Sequence, residues 1–328
     1  MEAACARKVI CSPTRLSDWR QQFASHNIFP GEATLSNTSS DPNQPAERWA
    51  NIRDLRVRCL DWGGDGPPVV ALHGLASSAH WYDLVSPLLR HTYRVIAPDQ
   101  RGHGQTTQAP DGYDWASLSL DVIGLMDSLD IERFAVLGHS WGGNVAINLA
   151  AKHPDRISAL VMIDGGFFGG RSRVTSNYEE FRQRAAPRDV SGTLQELMDR
   201  FSKQLSLCWN PDIERIVQTM VWEDEDGQMH DILTPENHSQ VMHAMWHEPA
   251  SEAWPHITCP TLIVAAGPTP ERADSPMAQM KRERVAAAHE AIAGSQVHWV
   301  PETIHDIGYH KPNELAEVID EFLSGVRS

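Results

Sequence analysis

The stretch FAVLGHSWGGNVAINLAAKHPDRISALVMIDGG, residues 134–166, constrains the fold more than any other. Two apolar runs, FAVLGHS and ISALVMID, flank the helix-forming segment GGNVAINLAAKHP. A short apolar run without polar alternation is a strand buried on both faces. Two such strands joined by one helix form a crossover unit and lie parallel. The same alternation recurs along the chain. PVVALHG, YRVIAPD, CPTLIVAAG and QVHWVP read as strands, and RVRCLDWG as strand-like. WASLSLDVIGLMDSLDI, RERVAAAHEAIAG and PNELAEVIDEFLSGV read as helices, and WYDLVSPLLRH has helical spacing. The pattern predicts an α/β fold with a mostly parallel sheet and helices on both faces. Sites in such sheets lie at the carboxyl ends of strands. His73, Asp99, Ser140, Asp164 and Gly267 fall at those ends.

The alternation has two interruptions. Residues 1–47 read as an N-terminal extension, partly loop, because TLSNTSSDPNQPAE is rich in Ser, Asn and Pro. Residues 166–256 break the sheet pattern with helical pieces: YEEFRQRAA, GTLQELMDRFSKQL, PDIERIVQTMVW and PENHSQVMHAMWHE. The core then comprises 48–165 and 257–328, with 166–256 as a helical cap over the strand ends. The cap holds five of the ten methionines and four of the eleven tryptophans. Met242, Met245 and Trp246 share one helical stretch and are candidates to line an apolar substrate pocket, or else the cap's own core.

With 328 residues, the chain is long enough for one large α/β domain with an insert. Its net charge of −15 argues against a nucleic-acid groove or an anionic membrane surface as partner. No apolar run approaches the roughly 18 residues that span a bilayer. MEAACARKVICSPTRLSDWRQQ has no apolar stretch of signal-peptide length. The five cysteines are scattered, odd in number and never in CxxC spacing, as expected of reduced thiols in a cytoplasmic protein.

Ser140 lies in Gly138-His139-Ser140-Trp141-Gly142, after a β-run and before a helix. In that context G-x-S-x-G makes a sharp, strained turn, with small residues where strand and helix approach. The turn exposes the serine oxygen as a nucleophile. The Trp141 amide, at the start of the helix, is placed to meet a developing oxyanion. LHGLASS puts a loop directly after another strand, and Leu75 is the natural second donor. His73 in that segment reads as a loop anchor.

Four segments, HGLASS (73–78), DQRGHGQT (99–106), GHSWGG (138–143) and IHDIGYHKP (304–312), together resemble the α/β-hydrolase superfamily. The resemblance covers about 48–326. It implies a mainly parallel eight-stranded sheet with a cap inserted after strand six, matching the break at 166. It makes the DxRGxG segment a structural loop, so Asp99 and Arg101 carry no chemistry. A serine nucleophile needs an imidazole base. Of sixteen histidines, His305 alone follows the last strand and precedes a proline-started helix, and family order puts the histidine last. The usual acid position, three residues beyond Gly267, is Pro270. Some members, such as haloalkane dehalogenases and zearalenone lactonases, carry the acid at the end of strand six, and here that residue is Asp164. Glu271 and Asp274 stay open as alternatives.

The resemblance then implies a serine hydrolase that cleaves a carboxylic ester or lactone of modest size with apolar parts, through an acyl-enzyme and without metal or organic cofactor. One alternative is a carbon–carbon bond hydrolase of the same fold, with Arg171 or Arg173 meeting a substrate carboxylate. Another is a ligand-binding protein on a hydrolase scaffold. Epoxide and dehalogenation chemistry is disfavoured, because those relatives use aspartate where this chain has Ser140. His243 and His247 have i, i+4 spacing, with His238 or Glu248 nearby, but no HExxH accompanies them and no metal is expected. DEDG at 224–227 reads as an exposed turn.

Overall fold

The structure, a computed structural model, describes residues 44–167 and 177–327, together with the backbone of Thr34–Leu35. Its strands are β1 (Thr34–Leu35), β2 (Ala46–Ile52), β3 (Leu55–Asp61), β4 (Pro68–Leu72), β5 (Arg94–Pro98), β6 (Phe134–His139), β7 (Ile157–Ile163), β8 (Val221–Glu223), β9 (Met229–Asp231), β10 (Thr261–Ala266) and β11 (Gln296–Val300). Eight principal strands and the two-residue β1 make one sheet in the order β1-β2-β3-β5-β4-β6-β7-β10-β11. The β1–β2, β2–β3 and β3–β5 pairs are antiparallel, and all the others are parallel. The helices of at least seven residues are α1 (Trp115–Ser128), α2 (Trp141–Lys152), α3 (Tyr178–Arg184), α4 (Leu194–Gln204), α5 (Pro211–Gln218), α6 (Pro235–His247), α7 (Pro276–Ala291) and α8 (Pro312–Arg327).

Apolar strand composition and double-sided cover go together here. Every residue of β6 and β10 is buried, and so are the first ten of α2. Register aligns the strand ends that matter. Leu72 sits beside Gly138, Gly138 beside Met162, and Ile163 beside both His139 and Val264. The residues after these strands therefore emerge along one edge. The connection from β4 leads to β5 on one side, and the chain then returns to β6 on the other. That reversal of strand order falls between β4 and β6, and in such sheets the usual ligand position lies outside the strand ends at such a reversal.

Two parts differ from the sequence expectation. β2 begins at Ala46, within the stretch read as extension, and pairs along its whole length with β3, from Ala46–Asp61 to Ile52–Leu55. Its first four residues are half-buried, so AERWANI lacks the apolar signature of the inner strands. The segment PDIERIVQTMVW is helical only to Gln218. Val221–Glu223 then pairs with Met229–Asp231 in a hairpin whose turn contains DEDG.

Between β7 and β10 the chain leaves the sheet and forms α3 to α6 with this hairpin. The insert bonds to loops at the carboxyl edge. Thr219 and Ser78 share a hydroxyl hydrogen bond of 2.6 Å, Arg215 pairs with Asp83 at 2.8 Å, and Gln240 donates to the Pro110 carbonyl at 2.8 Å. Trp254 donates to the Gly166 carbonyl at 3.1 Å. Among the described residues no helix is long and apolar enough to cross a membrane.

Asp99 ties this edge together from below. Fully buried, it pairs with buried Arg58 at 2.9 Å and accepts from the amides of Ala79 at 2.7 Å and Gln105 at 3.0 Å. Those bonds and the Arg58 cation hold its carboxyl below the usual range against the opposing effect of burial. Asp99→Ala leaves Arg58 without this partner in the interior and should cost about 3–5 kcal/mol. Urea denaturation measures it, and a midpoint unchanged from wild type would contradict this account of the edge.

Candidate active site

Ser140 occupies the turn between β6 and α2 with φ 53° and ψ −119°, a conformation that side chains adopt only under strain. Close approach explains the surrounding glycines. A Cβ on Gly138 would lie 2.4 Å from the Gly142 carbonyl oxygen, and one on Gly165 would lie 2.1 Å from the Ser140 carbonyl oxygen. The second contact brings the loop after β7 directly against the serine.

His305 lies in the loop between β11 and a short helical turn, Ile307–His310. Its Nε2 is 2.9 Å from Ser140 Oγ and its Nδ1 is 2.7 Å from Asp164 Oδ2. With Asp164 ionised, Nδ1 carries the proton and donates to it, which leaves Nε2 to accept from the serine hydroxyl. Burial pulls the imidazole pKa down, but the hydrogen bond and charge of Asp164 outweigh it, and the net shift is upward. Asp164 is fully buried at the end of β7 with φ 41°. Burial raises its pKa, but the His305 hydrogen bond and the charges of His305 and Lys281 bring it below the usual range.

The His305 loop is anchored by the residue before Ser140. His139 donates from Nε2 to the His305 carbonyl at 3.2 Å and stacks on Trp81, with ring centroids 4.0 Å apart. Trp81 in turn donates to Asp306 at 2.9 Å. Burial, reinforced by the charge of His305, drives the His139 pKa down to about 3, so that ring is neutral.

The loop after β4 is held by two more neutral imidazoles. His73 donates from Nδ1 to the Gly74 carbonyl at 2.7 Å and accepts at Nε2 from the Gln100 amide at 3.1 Å. His103 donates to the Arg101 carbonyl at 2.9 Å and accepts from the Ala76 amide at 3.1 Å. Its pKa falls to about 3, mainly through burial. These bonds use the Ala76 amide, at a residue with φ 52°. Among the described residues the amides of Leu75 and Trp141 donate to no protein acceptor. Preorganised donors of that kind can hold an oxyanion.

The other candidates are placed apart. Glu271 sits on an exposed turn, Pro270–Arg272, and Asp274 is exposed as well; neither bonds to His305. Met242 is buried in a hydrophobic cluster that also holds Trp141 and Phe167, half-buried Met245 packs against that cluster, and Trp246 is buried elsewhere in the insert. The Trp246 ring lies 5.4 Å from that of Phe181 within the insert. The His243 and His247 rings are 4.3 Å apart, but among the described residues no three His, Cys, Asp or Glu side chains converge as metal ligands. Arg101 pairs with Asp121 at 2.8 Å, away from the serine relay. Arg171 and Arg173 lie outside the described residues. One neighbour of the relay was not singled out from sequence: Lys281 on α7 bonds to both oxygens of Asp164. The available signal was its spacing with Ala278, Val285 and Ala288, the buried residues of that helix.

Comparison with known proteins agrees with this arrangement of strands. A family model described as the alpha/beta hydrolase fold matches residues 67–259. Epoxide hydrolase A of Mycobacterium tuberculosis is 37% identical over 123 residues, 36% of this chain and 38% of that protein. A fluoroacetate dehalogenase of a Burkholderia species is 34% identical over 122 residues, 36% of this chain and 40% of that protein. The chain thus spans about two fifths of the length of the curated relatives it matches. The solved structure of E-2-(acetamidomethylene)succinate hydrolase superposes with a TM-score of 0.69 at 20% identity, covering 85% of this chain and 99% of that one. The enol-lactonase of Burkholderia xenovorans LB400 gives 0.62 at 21% identity, covering 84% and 99%. The strand order, the strained serine turn and the family match together establish that this chain belongs to the α/β hydrolase fold family.

Proposed function

We propose that this protein is a serine hydrolase that cleaves a carboxylic ester or lactone through an acyl-enzyme. The observation that carries the reading is the continuous line from Ser140 Oγ through His305 to Asp164, at 2.9 and 2.7 Å. Ser140 attacks the acyl carbon while His305 Nε2 takes its proton. Asp164 fixes the Nδ1–H tautomer and stabilises the imidazolium. The Leu75 and Trp141 amides receive the negative oxygen. His305 then protonates the departing alcohol, and a water deprotonated by the same nitrogen releases the acid. None of these steps draws on a metal or an organic cofactor.

The free thiols of Cys59, Cys208 and Cys259 support a reducing, cytoplasmic setting. The insert acts as the cap that selects the substrate. Met242 and Met245 bring apolar surface to the cluster that includes Trp141, and Trp246 adds a buried aromatic ring on the same helix, which favours acyl or alcohol groups with apolar parts.

The first test is reaction with a fluorophosphonate, followed by turnover of a panel of aryl esters and lactones. Ser140→Ala should lose labelling and on the order of 10⁴ to 10⁶ in rate while staying folded. A variant that hydrolyses esters within about tenfold of wild type would remove Ser140 from the mechanism.

Asp164→Asn keeps the shape of the acid but favours the wrong imidazole tautomer, and kcat should fall on the order of 10³- to 10⁴-fold. Glu271→Gln and Asp274→Asn should each leave kcat near the wild-type value. If either of those two variants produces the large loss instead, Asp164 is not the working acid.

For the cap, Met242→Ala, Met245→Ala and Trp246→Ala are compared on esters that differ in chain length. At least one should change relative kcat/KM about tenfold, the scale of one apolar contact. An unaltered ranking in all three would make these side chains insert core alone.

A further inference from the structure

We propose that Lys281 is a positioning residue for the catalytic acid, clamping the Asp164 carboxylate and supplying its counter-charge while His305 is neutral; this rests on the serine-hydrolase reading above. The Lys281 ammonium donates to Asp164 Oδ1 at 2.9 Å, to Oδ2 at 2.8 Å and to the Ala266 carbonyl at 3.2 Å. Those three bonds match its three donors. The Ala266 amide returns a bond to Oδ1 at 2.9 Å. Oδ1 is therefore fixed at the end of β10, and Oδ2 is turned toward His305.

The counter-charge is needed because Asp164 is fully buried. In the resting enzyme a neutral His305 offers a hydrogen bond but no positive charge. A buried carboxylate without a cation is costly and tends to take up a proton. A protonated Asp164 can neither hold the Nδ1–H tautomer nor stabilise an imidazolium. Lys281, itself only 16% exposed at its side chain, prevents that.

The same cation has an opposite effect later in the cycle. When His305 accepts the serine proton, the line reads cation, anion, cation. The groups facing His305 are Asp164 and Asp306, which favour its charged form, Lys281, which opposes it, neutral His139 and the Ser140 hydroxyl. The net upward shift of His305 makes the base active above that value, and kcat/KM is lost as pH falls through it. Lys281 keeps this acid limb lower than Asp164 alone would place it. An ion pair that merely fastened α7 to the sheet would affect stability and leave the limb in place.

The test compares kcat/KM against pH for the purified full-length chain on an aryl ester, using wild type, Lys281→Met and Lys281→Arg. Loss of the charge in Lys281→Met should move the acid limb upward by about one pH unit, and so cost about tenfold in rate well below the limb. Lys281→Arg should keep the limb within a few tenths of a unit. A Lys281→Met profile that superimposes on wild type after scaling, whatever its melting temperature, overturns the proposal. Should Lys281→Met not fold, Lys281→Gln retains a donor without the charge and is read in the same way. The His305 imidazole titration, followed by NMR in wild type and Lys281→Gln, checks the point without turnover: its midpoint should rise in the variant, and an unmoved midpoint overturns the proposal. A wild type that no fluorophosphonate labels would overturn the serine-hydrolase reading instead, and the NMR titration separates the two failures.

Discussion

A carboxylate with no exposure to water has to be surrounded by donors, and Asp164 sets that requirement at the centre of this molecule. Its partners come from three separate places in the chain: Ala266 at the end of β10, Lys281 on α7 and His305 in the loop after β11. Only the register of β7 against β10 brings the first of these within reach, since Ile163 pairs with Val264 and Asp164 follows it. The left-handed backbone at Asp164 and the tight packing of Gly165 on Ser140 are local consequences of bringing this strand end to the serine. The cost of burying the charge and the geometry of the relay are therefore one constraint.

The imidazoles around the site divide by the same physics. His139 and His103 are buried with one donor and one acceptor role or a ring stack each, and burial holds both near pKa 3. His73 is likewise lowered, with burial dominant over the pull of Asp99. These rings act as neutral struts that join loops through defined tautomers. His305 differs because a carboxylate faces its Nδ1 and its shift runs upward. A chain rich in histidine thus places one raised imidazole beside the serine, the base of the proposed mechanism, and uses neighbouring rings to hold the backbone that carries it.

Much of this was legible from residue types, because strong local constraints leave local traces. A turn as tight as that at Ser140 admits only small neighbours, hence Gly138 and Gly142. Gly267-Pro268-Thr269-Pro270 has no carboxylate to offer, which leaves Asp164 at a strand end as the candidate, and the structure brings Asp164 to His305. Weak constraints left no trace. The outer strand β2 is half-buried over its first four residues and carries polar side chains beside a Ser/Asn/Pro-rich stretch, so nothing in AERWANI separates it from loop. The strands β8 and β9 have three residues each, too few for a period to show. Lys281 is a further case. Lysine on a helix is ordinarily a solvated residue, and its role follows from a partner 117 positions away.

The origin of that lysine changes the meaning of the connection between β10 and β11. In the arrangement that the resemblance makes usual, this connection delivers the acid. Here its first residues carry prolines, and its helix carries a cation that grips the Asp164 carboxylate at the end of β7, the acid of the proposed mechanism. The connection still influences His305, but indirectly, through the orientation and ionisation of Asp164. In the proposed mechanism two demands on Asp164 then meet in one ion pair. It must be firmly ionised before the reaction, which a nearby cation favours. It must also stabilise a new positive charge during the reaction, which the same cation opposes. Asp164 satisfies both because the ammonium and the imidazole approach different sides of the carboxylate, with Oδ1 committed to Ala266 and Lys281 while Oδ2 faces His305. A lysine lying on the His305 side would have weakened the base outright; from α7 it holds the acid in place and leaves His305 net raised.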